Sequence, residues 1–107
     1  MTTNFVSSQA ANVTTITTVY NPTTTGVQAV LSGCLLANTT TSAVTASVTL
    51  VNSGATITTN LVNNVIIPPG TALDIMNAAK INVPQNYAVK VVASGATDVT
   101  VSATEVS

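Results

Sequence analysis

The chain has 107 residues and only five charges, two lysines against three acidic side chains, for a formal net charge of −1. It contains no histidine and no arginine. That excludes a Ser-His-Asp triad, a His-based metal site and a Cys–His nucleophile, and it leaves no basic patch for a nucleic acid.

One domain of this length buries a modest core. Phe5, Tyr20 and Tyr87 are the only aromatic residues, so valine, isoleucine, leucine and alanine must fill that core. Valine and threonine favour pleated, half-buried strands, and the expected fold is all-β. A surface so poor in charge does little to keep copies of the chain apart. This composition suits a subunit packed against copies of itself or against a scaffold.

Residues 1–12 read as an N-terminal arm ahead of a β domain over 13–107, ordered only on binding, with Phe5 and Val6 either its anchor or packed back on the domain. Val13 to Tyr20 alternates as a strand, with Thr14, Ile16, Thr18 and Tyr20 on one face. A loop follows over 21–26, with the turn chemistry of Asn21-Pro22 and Gly26. Val27 to Ala37 is apolar on both faces and predicts a strand covered on both sides, with Gly33 marking a bulge. After a polar loop over 38–42, Val44, Ala46, Val48 and Leu50 alternate with Thr45, Ser47 and Thr49. Asn52-Ser53-Gly54-Ala55 predicts a hairpin returning as Thr56 to Val62, which Asn63-Asn64 interrupts.

The run Val65-Ile66-Ile67-Pro68-Pro69-Gly70 predicts a short strand stopped by two residues with no N–H to give a ladder. Before it there is no charged residue; Asp74, Lys80, Lys90, Asp98 and Glu105 all follow it. Leu73 to Met76 and Lys80 to Val83 read as short strands joined by a connector over 77–79. Tyr87 to Ala93 and Val99 to Val106 read as a final hairpin with its turn over 94–98. The sum is eight or nine short strands in a single-domain antiparallel β-sandwich or small barrel. The charge-free N-terminal portion is expected to face protein, and the C-terminal portion to lie nearer solvent.

Cys34 is the only cysteine, so no disulfide forms within the chain, and its apolar neighbours mark it as a buried thiol. The first residues lack the basic and apolar regions of a signal peptide, and no run reaches the ~18 apolar residues of a membrane helix. The expectation is a protein made in a cytoplasm, with no cofactor, no metal, no membrane and no nucleic acid among its partners. Asp74, Asp98 and Glu105 are the only carboxylates available for acid–base work. Nothing resembling a sugar site accompanies them, and an enzyme is not expected. Long, uncharged Thr/Val strands left as edges would invite pairing with another chain.

The segment over 44–107 resembles small virion structural proteins of tailed bacteriophages, including marine and cyanobacterial phages. The resemblance lies in Val65-Ile66-Ile67-Pro68-Pro69-Gly70, Leu73-Asp74-Ile75, Lys80-Ile81, Tyr87-Ala88-Val89-Lys90-Val91 and Ser102-Ala103-Thr104-Glu105. Where such proteins often carry Gly-Asp before the last hairpin, this chain has Gln85-Asn86. The resemblance implies a place in the virion particle more than it implies which place, and the leading expectation is a capsid decoration (cement) protein on the virion surface. Its partners would be the major capsid protein and its own copies, as a dimer or trimer. A neck, adaptor or tail-fibre component is the alternative, and a carbohydrate-binding or host-attachment module a third. Phe5, Val6, Tyr20 and Tyr87 are the expected interface residues.

Overall fold

In the computed structural model, which describes residues 3–22, 26–76 and 80–106, period-two apolar patterning builds two antiparallel sheets packed face to face. The strands are β1 (Thr3–Val13), β2 (Thr17–Tyr20), β3 (Gln28–Asn38), β4 (Val44–Val51), β5 (Thr58–Ile67), β6 (Ala72–Asp74), β7 (Ile81–Val83), β8 (Ala88–Ala93) and β9 (Thr97–Val106). The first sheet runs β1-β9-β3-β6, with β7 also paired to β3. The second runs β2-β8-β4-β5. The sheets do not close on each other, so the fold is a β-sandwich and not a barrel.

The core is the two inner faces. Successive side chains of a strand point to opposite faces. Val44, Ala46 and Val48 of β4 and Val89, Val91 and Ala93 of β8 therefore all point inward from one sheet. Val99, Val101 and Ala103 of β9 meet them from the other, with Ala29, Leu31, Cys34 and Leu36 of β3. Strand β3 stays inward-facing across an odd spacing because its register with β9 slips between Leu31 and Gly33. That is the bulge expected at Gly33. The expected burial of β3 on both faces is not found: Gln28, Ser32 and Leu35 are exposed on the outer face.

The last two strands do not form a hairpin. β8 pairs with β2 and β4, whereas β9 pairs with β1 and β3. Residues 94–96 form a corner that carries the chain from one sheet to the other. Alternation alone does not say whether two successive strands share a sheet; here both Ala93 and Thr97 are buried, one beneath each sheet. The corner is pinned from outside: Ser94 N–H donates to Thr45 O at 2.9 Å, and Ala96 O accepts from Thr39 N–H. Gly95 is required there by crowding, because an added Cβ would lie 2.7 Å from Val44 Cγ1.

Two other boundaries differ from expectation. The run 13–20 is divided: Val13 closes β1, residues 14–16 cross between the sheets, and β2 begins at Thr17. A register shift between Thr18 and Tyr20 then buries both Val19 and Tyr20 and leaves Ile16 exposed. Conversely, the strands expected on either side of Asn63-Asn64 are one strand, β5. Its pairing with β4 shifts register twice, and Asn64 takes φ 53°. Asparagine tolerates that left-handed backbone, and Ser47 Oγ accepts the Asn64 N–H at 2.9 Å. The prolines end β5 at Ile67 as expected, and Gly70 at φ 69° makes the turn. The expected connector over 77–79 lies outside the described residues.

The sandwich interleaves the two halves of the sequence. β1 and β3 flank β9, and β4 lies beside β8. The charge-free portion and the charged portion therefore do not form separate faces.

Candidate functional site

The two sheets have two long free edges, at opposite flanks. β1 ends the first sheet and packs over β2. β5 ends the second sheet at the far side, where Ile67 O accepts from Asn38 Nδ2 of β3. Neither strand contains a charged residue. Among the described residues no ladder covers the outer edge of either.

Strand β1 is the residue run expected as a free arm, and over Thr3–Val13 it lies along β9 instead. Its pairing with β9 keeps one register from Thr3 opposite Val106 to Ala10 opposite Val99. Val6, Ser8 and Ala10 turn partly inward, whereas Phe5, Ser7 and Gln9 point to solvent. Phe5 is 88% exposed, the most exposed large apolar side chain among the described residues. Ser8 Oγ donates to Val19 O of β2, which ties the middle of the strand to the opposite sheet.

The four expected interface residues go to different places. Phe5 and Val6 lie on β1, one outward and one half-buried. Tyr20 is only 8% exposed and presents no contact surface. Its hydroxyl donates to Glu105 Oε2 at 2.5 Å, a tie between β2 and β9 across the sandwich. Burial, the hydrogen bond and the carboxylate's charge all push the Tyr20 hydroxyl well above the usual phenol range. Tyr87 is half-buried against the core at the start of β8. The structure therefore joins Phe5 and Val6 on one edge and leaves Tyr20 and Tyr87 elsewhere.

Cys34 is 1% exposed, opposite Val101 on the inner face of β3. Burial first, and then the nearby charge of Asp74, pushes its thiol up to about 12. It is an inert core side chain at neutral pH.

Each carboxylate has its own hydrogen-bond partner. Asp74 accepts from the Met76 N–H, Asp98 from the Asn12 N–H, and Glu105 from Tyr20. Asp98 and Glu105 sit at opposite ends of β9, about 23 Å apart at the usual rise of a strand. A glycosidase pair needs its carboxyl groups within roughly 5–10 Å.

The outer face of the second sheet holds a shallow groove of about 230 Å³, lined by Ile16, Ser47, Thr49, Thr58, Lys90 and Val92 among others. Hydroxyls and one ammonium over an aliphatic floor supply neither a nucleophile with its base nor a metal ligand set.

One structural anchor was missed from the sequence. Asn38, at the end of β3, is 2% exposed. Its Nδ2 donates to Ser42 O at 2.8 Å and Ile67 O at 2.9 Å. Its Oδ1 accepts from the backbone N–H and the hydroxyl of Thr40. The Asn-Thr-Thr run signalled a turn, but nothing local distinguishes this asparagine from the solvated ones.

No protein-family model matches the chain, and no curated protein matches it in sequence. Among solved structures it is similar to one from work describing Bacillus endospore appendages as a novel family of disulfide-linked pili. The TM-score is 0.57 at 17% identity, over 97% of this chain and 84% of that one. That likeness supports the sandwich over essentially the whole chain.

Proposed function

We propose that the chain is a structural subunit whose work is to assemble, and specifically a capsid decoration protein of a tailed phage that binds between major capsid subunits. The observation that carries the assembly reading is the long, regular, charge-free outer edge of β1 with Phe5 exposed along it. Such an edge offers unpaired backbone donors and acceptors, and monomeric proteins usually blunt it with lysine, proline or a bulge. The phage assignment rests on the resemblance carried by residues 44–107. Binding only the assembled lattice would stabilise the shell by mass action, about 2.7 kcal/mol per site at a hundredfold excess over Kd.

The second reading is a neck, adaptor or fibre subunit. A sandwich of similar outline occurs in a pilus structure, which favours a filament or ring joint. The pili of that structure are disulfide-linked; a filament of this chain would be held without disulfides, because its single thiol lies in the core. A carbohydrate-binding role has less support, since sugar sites favour exposed aromatic clusters and Phe5 stands alone.

Copy number separates these readings. Quantitative protein analysis of purified particles should find the chain in numbers comparable to the major capsid protein. A count on the order of a dozen or fewer would replace the decoration reading with the neck or tail one.

A further inference from the structure

We propose that two copies of this chain pair through their β1 strands, antiparallel about a two-fold axis, so that the β1-β9-β3 sheet of one copy continues into that of its mate. The inference rests on the assembly reading above and names its partner, a second copy.

Five strands have a free edge, and they are not equivalent. β2 has four residues, with a register shift inside it. β6 and β7 have three residues each and lie on different parts of β3. β5 is long, but its ladder shifts register twice and Asn64 turns left-handed within it. Bulges of this kind twist an edge away from a would-be partner strand. β1 alone runs unbroken, from Thr3 to Ala10, before its own shift ahead of Val13. A second strand added there would satisfy a continuous row of backbone groups.

The partner is a copy of the same edge for two reasons. A two-fold interface uses one patch twice, so it needs only the one edge that is regular. In addition, β1 holds no charge, so pairing it with itself sets no like charges across the ladder. Like charges directly opposite are what ordinarily penalise such self-pairing. Phe5 gains most from the arrangement. Its neighbour within the sheet is Thr104 of β9, on the inner side of β1. A mate strand would supply a neighbour on its open side and cover a ring now 88% exposed. Pairing of this kind closes on itself as a dimer and leaves the β5 flank of each copy free for the particle.

The test uses the full-length chain with one added cysteine at a time, Cys34 remaining silent in the core. Ser7→Cys should cross-link to a homodimer with a short bis-maleimide, and Asn60→Cys on β5 should not. Sedimentation should give the unmodified chain a dimer mass. Ser7→Lys or, as a second variant, Gln9→Lys should reduce it to a monomer with an unchanged far-UV CD spectrum. A monomeric unmodified chain overturns the proposal, and so do cross-links that form only between Ser7→Cys and Asn60→Cys copies. The two readings fail separately. A monomer present at high copy on purified particles sinks the edge pairing alone, whereas a β1-linked dimer missing from particles sinks the decoration reading alone.

Discussion

The two flanks of the sandwich are closed by different means. On the β5 side one buried asparagine serves three segments at once: Asn38 of β3 holds the loop carbonyl of Ser42, the last carbonyl of β5 and both donors of Thr40. Its own N–H goes to Thr71 O, just past the Pro-Pro-Gly corner. On the β1 side the ties are single and scattered: Ser8 to Val19, Asn12 to Asp98, and Tyr20 to Glu105. Of the eleven residues of β1 only Val13 is buried. A saturated polar hub fixes the end of β5 to the other sheet without covering its outer edge. A flank held by one ladder and three separate side-chain bonds is one where another strand can still be added.

The sharpest test of that contrast is Asn38→Ala. It strands the buried Ile67 carbonyl and removes the part-buried bonds to Ser42 and Thr40, so unfolding free energy should fall by about 2–4 kcal/mol in urea titrations. The next effect separates the sandwich's centre from its β1 flank by pH. The Cys34 thiol rises from an unfolded value of 9.0 to about 12 in the folded chain, and Tyr20 is raised from 10.0. Both native groups hold their protons more tightly than the unfolded chain does. The stability this confers is complete below pH 9 and is lost as pH climbs toward 12. The slope due to Cys34 is about 1.4 kcal/mol per pH step. Cys34→Ala should remove the Cys34 share of the decline throughout pH 9 to 12, leaving only the fall that begins near pH 10 with Tyr20.

Tyr20→Phe comes third, at about 1–2 kcal/mol, since it removes one donor and leaves Glu105 partly buried without it. If it cost more than Asn38→Ala, the ranking of the two flanks would be reversed. The smallest effect is that of salt. Contacts built on an uncharged strand gain nothing from Coulomb attraction that ions could screen. Raising sodium chloride from low to high concentration should therefore leave binding to particles nearly unchanged, as followed by co-sedimentation.

Much of the strand content was legible in the sequence because period-two alternation is a local property. Val44 to Leu50, the Pro68-Pro69 stop and the Gly33 bulge all follow from residues within a few positions of each other. Sheet membership was not legible. Among consecutive strands only β4 and β5 pair, and the alternation of Tyr87 to Val106 looks the same whether its two arms are neighbours or lie on opposite sheets. The decisive contact there is Gly95 against Val44, some fifty positions away. The candidate edge was half legible. Phe5 and Val6 stood out at once, but their place on a strand depends on β9, at the other end of the sequence. Tyr20 looked like a surface aromatic because its acceptor, Glu105, is equally remote.

That pairing of β1 with β9 has a consequence for how the molecule is made. β9 is the inner strand between β1 and β3, and it is the last of the strands to leave a ribosome. Until then β3 can pair only with β6 and β7, and β1 and the β9-facing edge of β3 both wait open. Folds dominated by such distant pairings assemble slowly. During translation, then, neighbouring nascent chains would meet each other's uncovered strands before either had its own β9.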